Sequence, residues 1–159
     1  MERKTSLATL LGIVAALSLW FIIYGQSQIL IGDFGIYLTR DNTRIVSGSD
    51  IQYYNVTSHE LTLTNECADW LWASERYLEG NFTIMVHEKV ELRGLFLPPF
   101  ISRSYPSSQV VIVYPTFESS YKIMKIQMGY PWSPEPFGQN PLENPRITQY
   151  FEESGKLVR

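Results

Sequence analysis

The chain has 159 residues, 13 basic and 16 acidic side chains, and a formal net charge of −3. This mildly acidic balance argues against a nucleic-acid partner, because binding to phosphate backbones needs clustered Lys and Arg. The single cysteine, Cys67, excludes an internal disulfide, and an aromatic share of 14% argues against a disordered chain. We therefore expect a folded domain that is held together by its core alone.

An apolar segment near the start predicts where the protein is located. Residues 7–25 contain no charged side chain, and as a helix they would extend about 28 Å, close to the thickness of a bilayer core. Arg3 and Lys4 precede the segment, and basic residues beside a span tend to stay in the cytoplasm. We predict a cytoplasmic tip and transmembrane anchor at 1–25, with the bulk of a single-pass cell-membrane protein outside the cytoplasm.

A cleaved signal peptide is the alternative interpretation of this segment. The apolar core of a signal peptide is usually about 7 to 15 residues, which is shorter than the run found here. The candidate cleavage sites are poor, because Ala16-Leu17-Ser18 lies inside the run and Gly25-Gln26-Ser27 has Gly and Ser where Ala is preferred. Both interpretations place the rest of the chain outside the cytoplasm.

After a connector at 26–33, the pattern predicts an extracytoplasmic α+β domain at 34–159. We expect a mostly antiparallel sheet with one main helix and a short C-terminal helix. Alternating or apolar runs predict strands at 34–39, 45–46, 60–64, 82–86, 90–96, 110–114 and 121–128. The three residues between 82–86 and 90–96 predict a β-hairpin.

Two segments have helical spacing. The main helix is predicted where apolar or small residues recur at three- and four-residue steps, at Cys67, Trp70, Leu71, Ser74, Tyr77 and Leu78. Trp72 points away from this stripe, and we expect it to lie on a neighbouring loop, with a contact to lipid or a partner as the alternative. Pro145 can open a last helix at 146–154, whose apolar side consists of Ile147, Tyr150 and Phe151.

Candidate catalytic residues are few. His59-Glu60 and His87-Glu88 lack the second histidine one helical turn away that a zinc-protease motif requires. A shared site would need the strand after His59 to neighbour the strand before His87. Cys67 lies on the inward side of the predicted helix, where a thiol acts as a small hydrophobic group. We assign no catalytic, metal-binding or cofactor-binding residue, and a hydrolase whose site forms only in the fold is the alternative function.

Two sequons, Asn55-Val56-Thr57 and Asn81-Phe82-Thr83, predict N-glycosylation on the outer side of the membrane. We expect Asn55 to lie in a loop and Asn81 to open a strand. Glycosylation at Asn55 and Asn81 therefore depends on the predicted topology.

Two proline-stiffened aromatic segments predict contact with another protein. Residues 97–105 and 130–137 are rich in aromatic side chains and poor in charge, as interface cores are. The candidate contact residues are Phe100, Tyr105, Trp132 and Phe137. Capping of the ends of the sheet by these rings is the alternative. We predict a membrane-anchored extracytoplasmic module that contacts another protein.

The order of several short segments resembles the head subdomain of the first extracytoplasmic region of SecD, an accessory subunit of the protein-export translocase. The segments are Gly48-Ser49-Asp50-Ile51, Leu61-Thr62-Leu63-Thr64-Asn65-Glu66 before a helix, and Phe82-Thr83-Ile84-Met85-Val86 with its tight hairpin. The resemblance covers residues 45–114 and implies an α+β head that contacts polypeptides in envelope assembly or protein export.

The chain departs from SecD in two respects. The family's hairpin usually has an Asp-Gly turn, whereas this chain has Glu88-Lys89. SecD also has a bundle of membrane helices with a proton-carrying aspartate, whereas this chain has one predicted span without a carboxylate. The resemblance therefore implies a head without the motor. The whole chain is also similar to small single-anchor archaeal membrane proteins, which implies no function.

Overall fold

The computed structural model describes residues 33–73, 78–98, 100–115, 121–131 and 140–159, which contain one nine-stranded sheet and two α-helices. The sheet-dominated α+β class predicted from the sequence is confirmed. The predicted anchor at 1–25 and connector residues 26–32 lie outside the described residues. Within the described part of the chain, no helix has the length and apolar character needed to cross a membrane.

The described part of the chain contains nine strands, two α-helices and one 3₁₀ turn. The strands are β1 Phe34–Leu38, β2 Thr43–Ser47, β3 Ile51–Asn55, β4 Glu60–Leu63, β5 Gly80–Val86, β6 Lys89–Leu97, β7 Tyr105–Val113, β8 Ile123–Tyr130 and β9 Leu157–Val158. The helices are α1 Asn65–Ala73 and α2 Pro145–Glu153, and a 3₁₀ turn, Gly48–Asp50, joins β2 to β3. The strand order is β2-β1-β5-β6-β7-β8-β4-β3-β9, in which β6–β7 and β3–β9 are parallel and the other pairs antiparallel.

The seven strands predicted from the sequence are present, and β3 and β9 are the two that were missed. In β3 the register shifts between Ile51 and Tyr53, so that Gln52 and Tyr53 are both exposed while Ile51 and Tyr54 are buried. This irregularity breaks the alternation of period two by which strands are recognised. β9 has two residues, too few for any period to be seen.

The connection between β2 and β3 shows that the sheet is curled. Ser47 and Ile51 are four residues apart in the chain, so their Cα atoms are at most about 15 Å apart. In a flat sheet, the seven strand spacings between β2 and β3 would separate them by about 34 Å. The sheet must therefore bend so that β2 and β3 approach each other.

The main core fills the inside of this curl, and α2 contributes its apolar side to it. Ile147, Tyr150 and Phe151 are buried, as the sequence predicted. The ring of Phe151 lies 5.0 Å from that of Phe34 on β1 and 4.8 Å from that of Tyr54 on β3. Because β1 and β3 are six positions apart in the strand order, α2 packs between distant parts of the curled sheet.

Local signals define both ends of α2. The side chain of Asn144 accepts hydrogen bonds from the backbone N–H groups of Arg146 and Ile147, and Pro145 occupies the first turn. Such a cap satisfies donors that have no partner within the helix. Gly155 follows with a φ of 69°, the left-handed conformation that commonly ends a helix. The start at Pro145 and the stop before Gly155 are confirmed.

Candidate functional site

Two of the four predicted contact residues are described, Phe100 on the connection from β6 to β7 and Tyr105 at the start of β7. Phe100 has 59% of its surface exposed, whereas Tyr105 is half-buried and begins β7, opposite Tyr130 on β8. The other two, Trp132 and Phe137, lie outside the described residues. The prediction that the four rings contact a partner together therefore stays a prediction.

Tyr105 belongs to a second apolar layer on the outer side of the sheet. Phe96 on β6 and Ile112 on β7 face the main core, and their neighbours in the strands face outward because side chains alternate. This outer apolar layer consists of Leu97, Val111 and Val113, with Leu95, Ile101, Tyr105 and Tyr130 packed against them. The packing accounts for the partial burial of Tyr105 within the chain itself.

Helix α1 presents two tryptophans beside its buried stripe. Cys67, Ala68 and Leu71 are buried, whereas Trp70 is 49% exposed and Trp72 is 59% exposed. At 3.6 residues per turn, Trp70 and Trp72 lie about 100° to either side of the middle of that stripe. The placement of Trp70 on the buried stripe was therefore wrong. The buried side of α1 includes Ala68 instead, a residue small enough to approach the sheet closely.

Trp72 points away from the buried stripe, as predicted, and has a neighbour on another segment. Its ring centroid lies 4.0 Å from that of Tyr121, in the turn that precedes β8, with an angle of 45° between the planes. Tyr121 is itself 41% exposed. The two rings thus cover each other on one side and remain open to solvent on the other.

A groove of about 340 Å³ lies beside Trp70, between α1 and β2. Its lining residues are Arg44, Ile45, Ser47, Asp50, Glu66, Cys67 and Trp70. The carboxylate of Asp50 accepts hydrogen bonds from the backbone N–H of Ser47, at 2.8 Å, and from its hydroxyl, at 2.6 Å. These bonds hold the carboxylate against the 3₁₀ turn, so that it forms a fixed wall of the groove.

Cys67 is not placed as a nucleophile. Its side chain is buried, and this burial, aided by the negative charge of Asp50, raises the pKa of the thiol to about 12. The thiolate is the reactive form and is scarce at neutral pH when the pKa is this high. The position supports the prediction that Cys67 acts as a small hydrophobic group.

The two histidines do not meet the condition that a shared site would require. His59 precedes β4 and His87 follows β5, but β4 pairs with β3 and β8, whereas β5 pairs with β1 and β6. His59 Nδ1 instead lies 3.1 Å from the hydroxyl of Tyr54. Burial lowers the pKa of His59, and the nearby charge of Glu143 opposes this shift. Among the described residues, no group of three or more His, Cys, Asp or Glu side chains could hold a metal ion.

The two sequon asparagines have different surroundings. Asn55 is the last residue of β3 rather than a loop residue, and its side-chain oxygen accepts hydrogen bonds from the backbone N–H groups of Thr57 and Ser58, each at 2.9 Å. Asn81 is exposed near the start of β5, as expected, and lies opposite Leu95 of the outer apolar layer. Glycosylation at either residue stays a prediction.

Lys156 is a residue with a specific role that was missed in the sequence. Its ammonium group donates hydrogen bonds of 2.7 Å to the carbonyl oxygens of Gly48 and Ile51. Burial lowers its pKa, and the charge of Asp50 opposes this shift. The sequence around Lys156 does not indicate that its side chain contacts carbonyl groups more than a hundred residues earlier in the chain. Lys156 thus connects the segment after α2 to the turn between β2 and β3.

The described geometry is that of an α+β unit with exposed aromatic side chains on α1 and on the β6–β7 connection. Comparisons with protein-family models, with curated proteins and with solved structures find no match to this chain. The resemblance to the SecD head subdomain therefore stays a prediction.

Proposed function

We propose that this protein is a single-pass, membrane-anchored extracytoplasmic module that contacts another protein, in envelope assembly or protein export. The apolar segment at 7–25, preceded by Arg3 and Lys4, supports the anchor and its orientation. The exposure of Trp70 and Trp72 on α1 is the observation that carries the contact function.

Exposed tryptophans on an ordered helix are well suited to binding another protein. Tryptophan has a large apolar surface and is among the residues most enriched at the energetic centres of interfaces. Cys67, Ala68 and Leu71 fix α1 against the core. Because the helix is already ordered, little conformational entropy is lost when its outer side is covered.

The charges next to the tryptophans indicate the kind of partner surface. Glu66 and Asp69 are exposed on the outer side of α1, between Trp70 and Trp72 around the helix axis. α1 contains no basic residue. Charged groups at the rim of an interface guide association when the opposing potentials are complementary. We infer that the partner presents an apolar patch bordered by Lys or Arg.

The test is recovery of the partner by cross-linking of the full chain in native membranes. We expect Trp70→Ala and Trp72→Ala to reduce the recovery of one specific cross-linked protein by at least about tenfold, because tryptophan anchors contribute 2 kcal/mol or more. Tyr53→Ala is the matched control, since Tyr53 is 51% exposed but belongs to β3 and not to α1. The thermal transition of each variant is measured in parallel.

Two results would contradict this assignment. Unchanged recovery with both tryptophan variants would remove α1 from the contact surface. Loss of recovery that accompanies a lowered transition temperature would mean that the tryptophans stabilise the fold instead. Phe100→Ser, measured in the same way, decides whether the exposed ring on the β6–β7 connection belongs to the contact surface.

A further inference from the structure

A pocket of about 310 Å³ lies where the turn between β5 and β6 faces α2. It is lined by Val86, His87, Lys89, Arg146, Gln149 and Tyr150. Apart from Val86, each of these side chains has an N–H or O–H group, and Lys89 and Arg146 are cationic. The volume is at the lower end of the range for ligand sites, which suits a small polar group.

The turn beside the pocket has an unusual backbone. His87 and Glu88 have φ angles of 51° and 62°, and both carry side chains. A two-residue hairpin turn with two positive φ angles normally uses Asn-Gly or similar pairs, because other side chains are strained there. Strained residues that the surrounding structure holds in place cluster at functional sites. The strained backbone therefore points to the β5–β6 turn, which contributes His87 to the pocket, as part of a candidate functional site.

Acidic groups near the pocket position its cations and partly offset them. A carboxylate oxygen of Glu91 lies 2.9 Å from the guanidinium of Arg146, and the amide of Asn144 donates to the other oxygen at 3.3 Å. This pair fixes the guanidinium, which has five N–H donors in all. Burial raises the pKa of Tyr150, and the nearby negative charge of Asp33 raises it further. Lys89 and His87 add donors without a described acidic partner.

We propose that this pocket binds a phosphate group, from either a phospholipid headgroup or a free phosphate ester. Phosphate offers several acceptor oxygens and a negative charge, and Arg and Lys are the side chains that bind it best. The side-chain amide of Gln149, whose nitrogen also donates to the carboxylate of Glu153 at 2.7 Å, adds a further N–H donor.

The place of the pocket in the fold favours the lipid as the source. The backbone N–H of His87 donates to the carbonyl oxygen of Asp33 at 2.9 Å, and Val86 pairs with Phe34. The pocket therefore lies at the end of the sheet where β1 begins, and in the sequence β1 is the first strand after the predicted connector at 26–33. This preference for lipid rests on the membrane anchoring proposed above, whereas binding of phosphate itself does not.

The experiment uses the full chain in dodecyl maltoside micelles, which contain no phosphate. The NMR signal of the His87 imidazole is followed while inorganic phosphate is added in one arm and phosphatidylglycerol in the other. Chloride at matched ionic strength is the control for screening. We expect a saturable shift with at least one phosphate source and none with chloride.

Variants test whether the pocket is responsible. Lys89→Gln and Arg146→Gln should each weaken phosphate binding by about tenfold or more, since a charge-assisted hydrogen bond is lost. Arg93→Gln is the matched control, because Arg93 is an exposed cation on β6 outside the pocket. Lys89→Gln leaves the Arg146–Glu91 pair intact and so avoids a loss of folding.

The outcomes separate the possibilities. A response to phosphatidylglycerol alone supports a lipid headgroup as the ligand, and a response to inorganic phosphate supports a free phosphate ester. The absence of a saturable shift in both arms would overturn the proposal. So would phosphate binding by Lys89→Gln and Arg146→Gln that is as tight as binding by the unsubstituted chain. Failure of the membrane anchoring would appear in labelling of intact cells and would leave the inorganic phosphate arm unaffected.

Discussion

The ring of Phe151 on α2 lies 4.8 Å from the ring of Tyr54 on β3, with an angle of 34° between their planes. Phe151 has no exposed surface, and its other side contacts Phe34 on β1. Strands that are distant in the sheet are thus connected through a helix near the end of the chain. The stability of the curled sheet should therefore depend on α2.

Residues 26–159 should fold cooperatively without the predicted anchor and in reducing buffer. The main core lies within residues 33–159, and the single cysteine, Cys67, is buried and free. No disulfide is lost on reduction, so the thermal transition should be the same with and without reductant. A transition that disappears on addition of reductant would contradict this expectation.

Phe151→Ala in residues 26–159 should lower the free energy of unfolding by about 3 to 5 kcal/mol, because a fully buried ring is removed and a cavity remains. Urea denaturation measures the change. Tyr53→Ala, at an exposed position on β3, should change the free energy of unfolding by less than about 0.5 kcal/mol. Equal effects of the two substitutions would mean that α2 does not support the sheet.

Asn144→Ala should lower the free energy of unfolding by about 1 to 2 kcal/mol. The substitution removes the side-chain acceptor for the N–H groups of Arg146 and Ile147 and the donor to the carbonyl oxygen of Glu91. Asn144→Ser retains an oxygen that can cap the helix and should restore part of the loss. If serine and alanine are equivalent in urea denaturation, the cap is not the source of the effect.

Stability should fall on acidification through the titration of His59. Burial lowers its pKa in the folded state below the ordinary value of 6.5, so the unfolded chain binds the proton more readily. The contribution of neutral His59 is fully present above pH 6.5 and is lost as the pH falls from there through the folded pKa. His59→Gln should reduce the slope of stability against pH in this window. An unchanged slope would show that other groups cause the dependence.

The proposed topology predicts that Gln52→Cys reacts with a membrane-impermeant maleimide in intact cells. Gln52 is exposed on β3, whereas the native Cys67 is buried and its pKa is raised, so the background labelling should be slow. The unsubstituted chain is the control. Labelling only after lysis would place this part of the chain in the cytoplasm.

The sequence by itself determined the features that depend on neighbouring residues. Strands with regular alternation, such as β5 and β6, were found because successive side chains point to opposite sides of a sheet. The limits of α2 were found because Pro145 and Gly155 restrict the backbone locally. The inert character of Cys67 followed from its place among apolar helix positions, and burial supports it.

Only the tertiary structure decided how distant segments meet. β3 escaped detection because its bulge breaks the alternation, and Trp70 was misplaced because the sheet contacts the side of α1 that bears Ala68. The separation of His59 from His87 follows from the strand order, which periodicity does not encode. Arg146 and His87 share a pocket, and Lys156 reaches Gly48, through packing between residues far apart in the chain. Such contacts depend on the curl of the whole sheet, which no local pattern specifies.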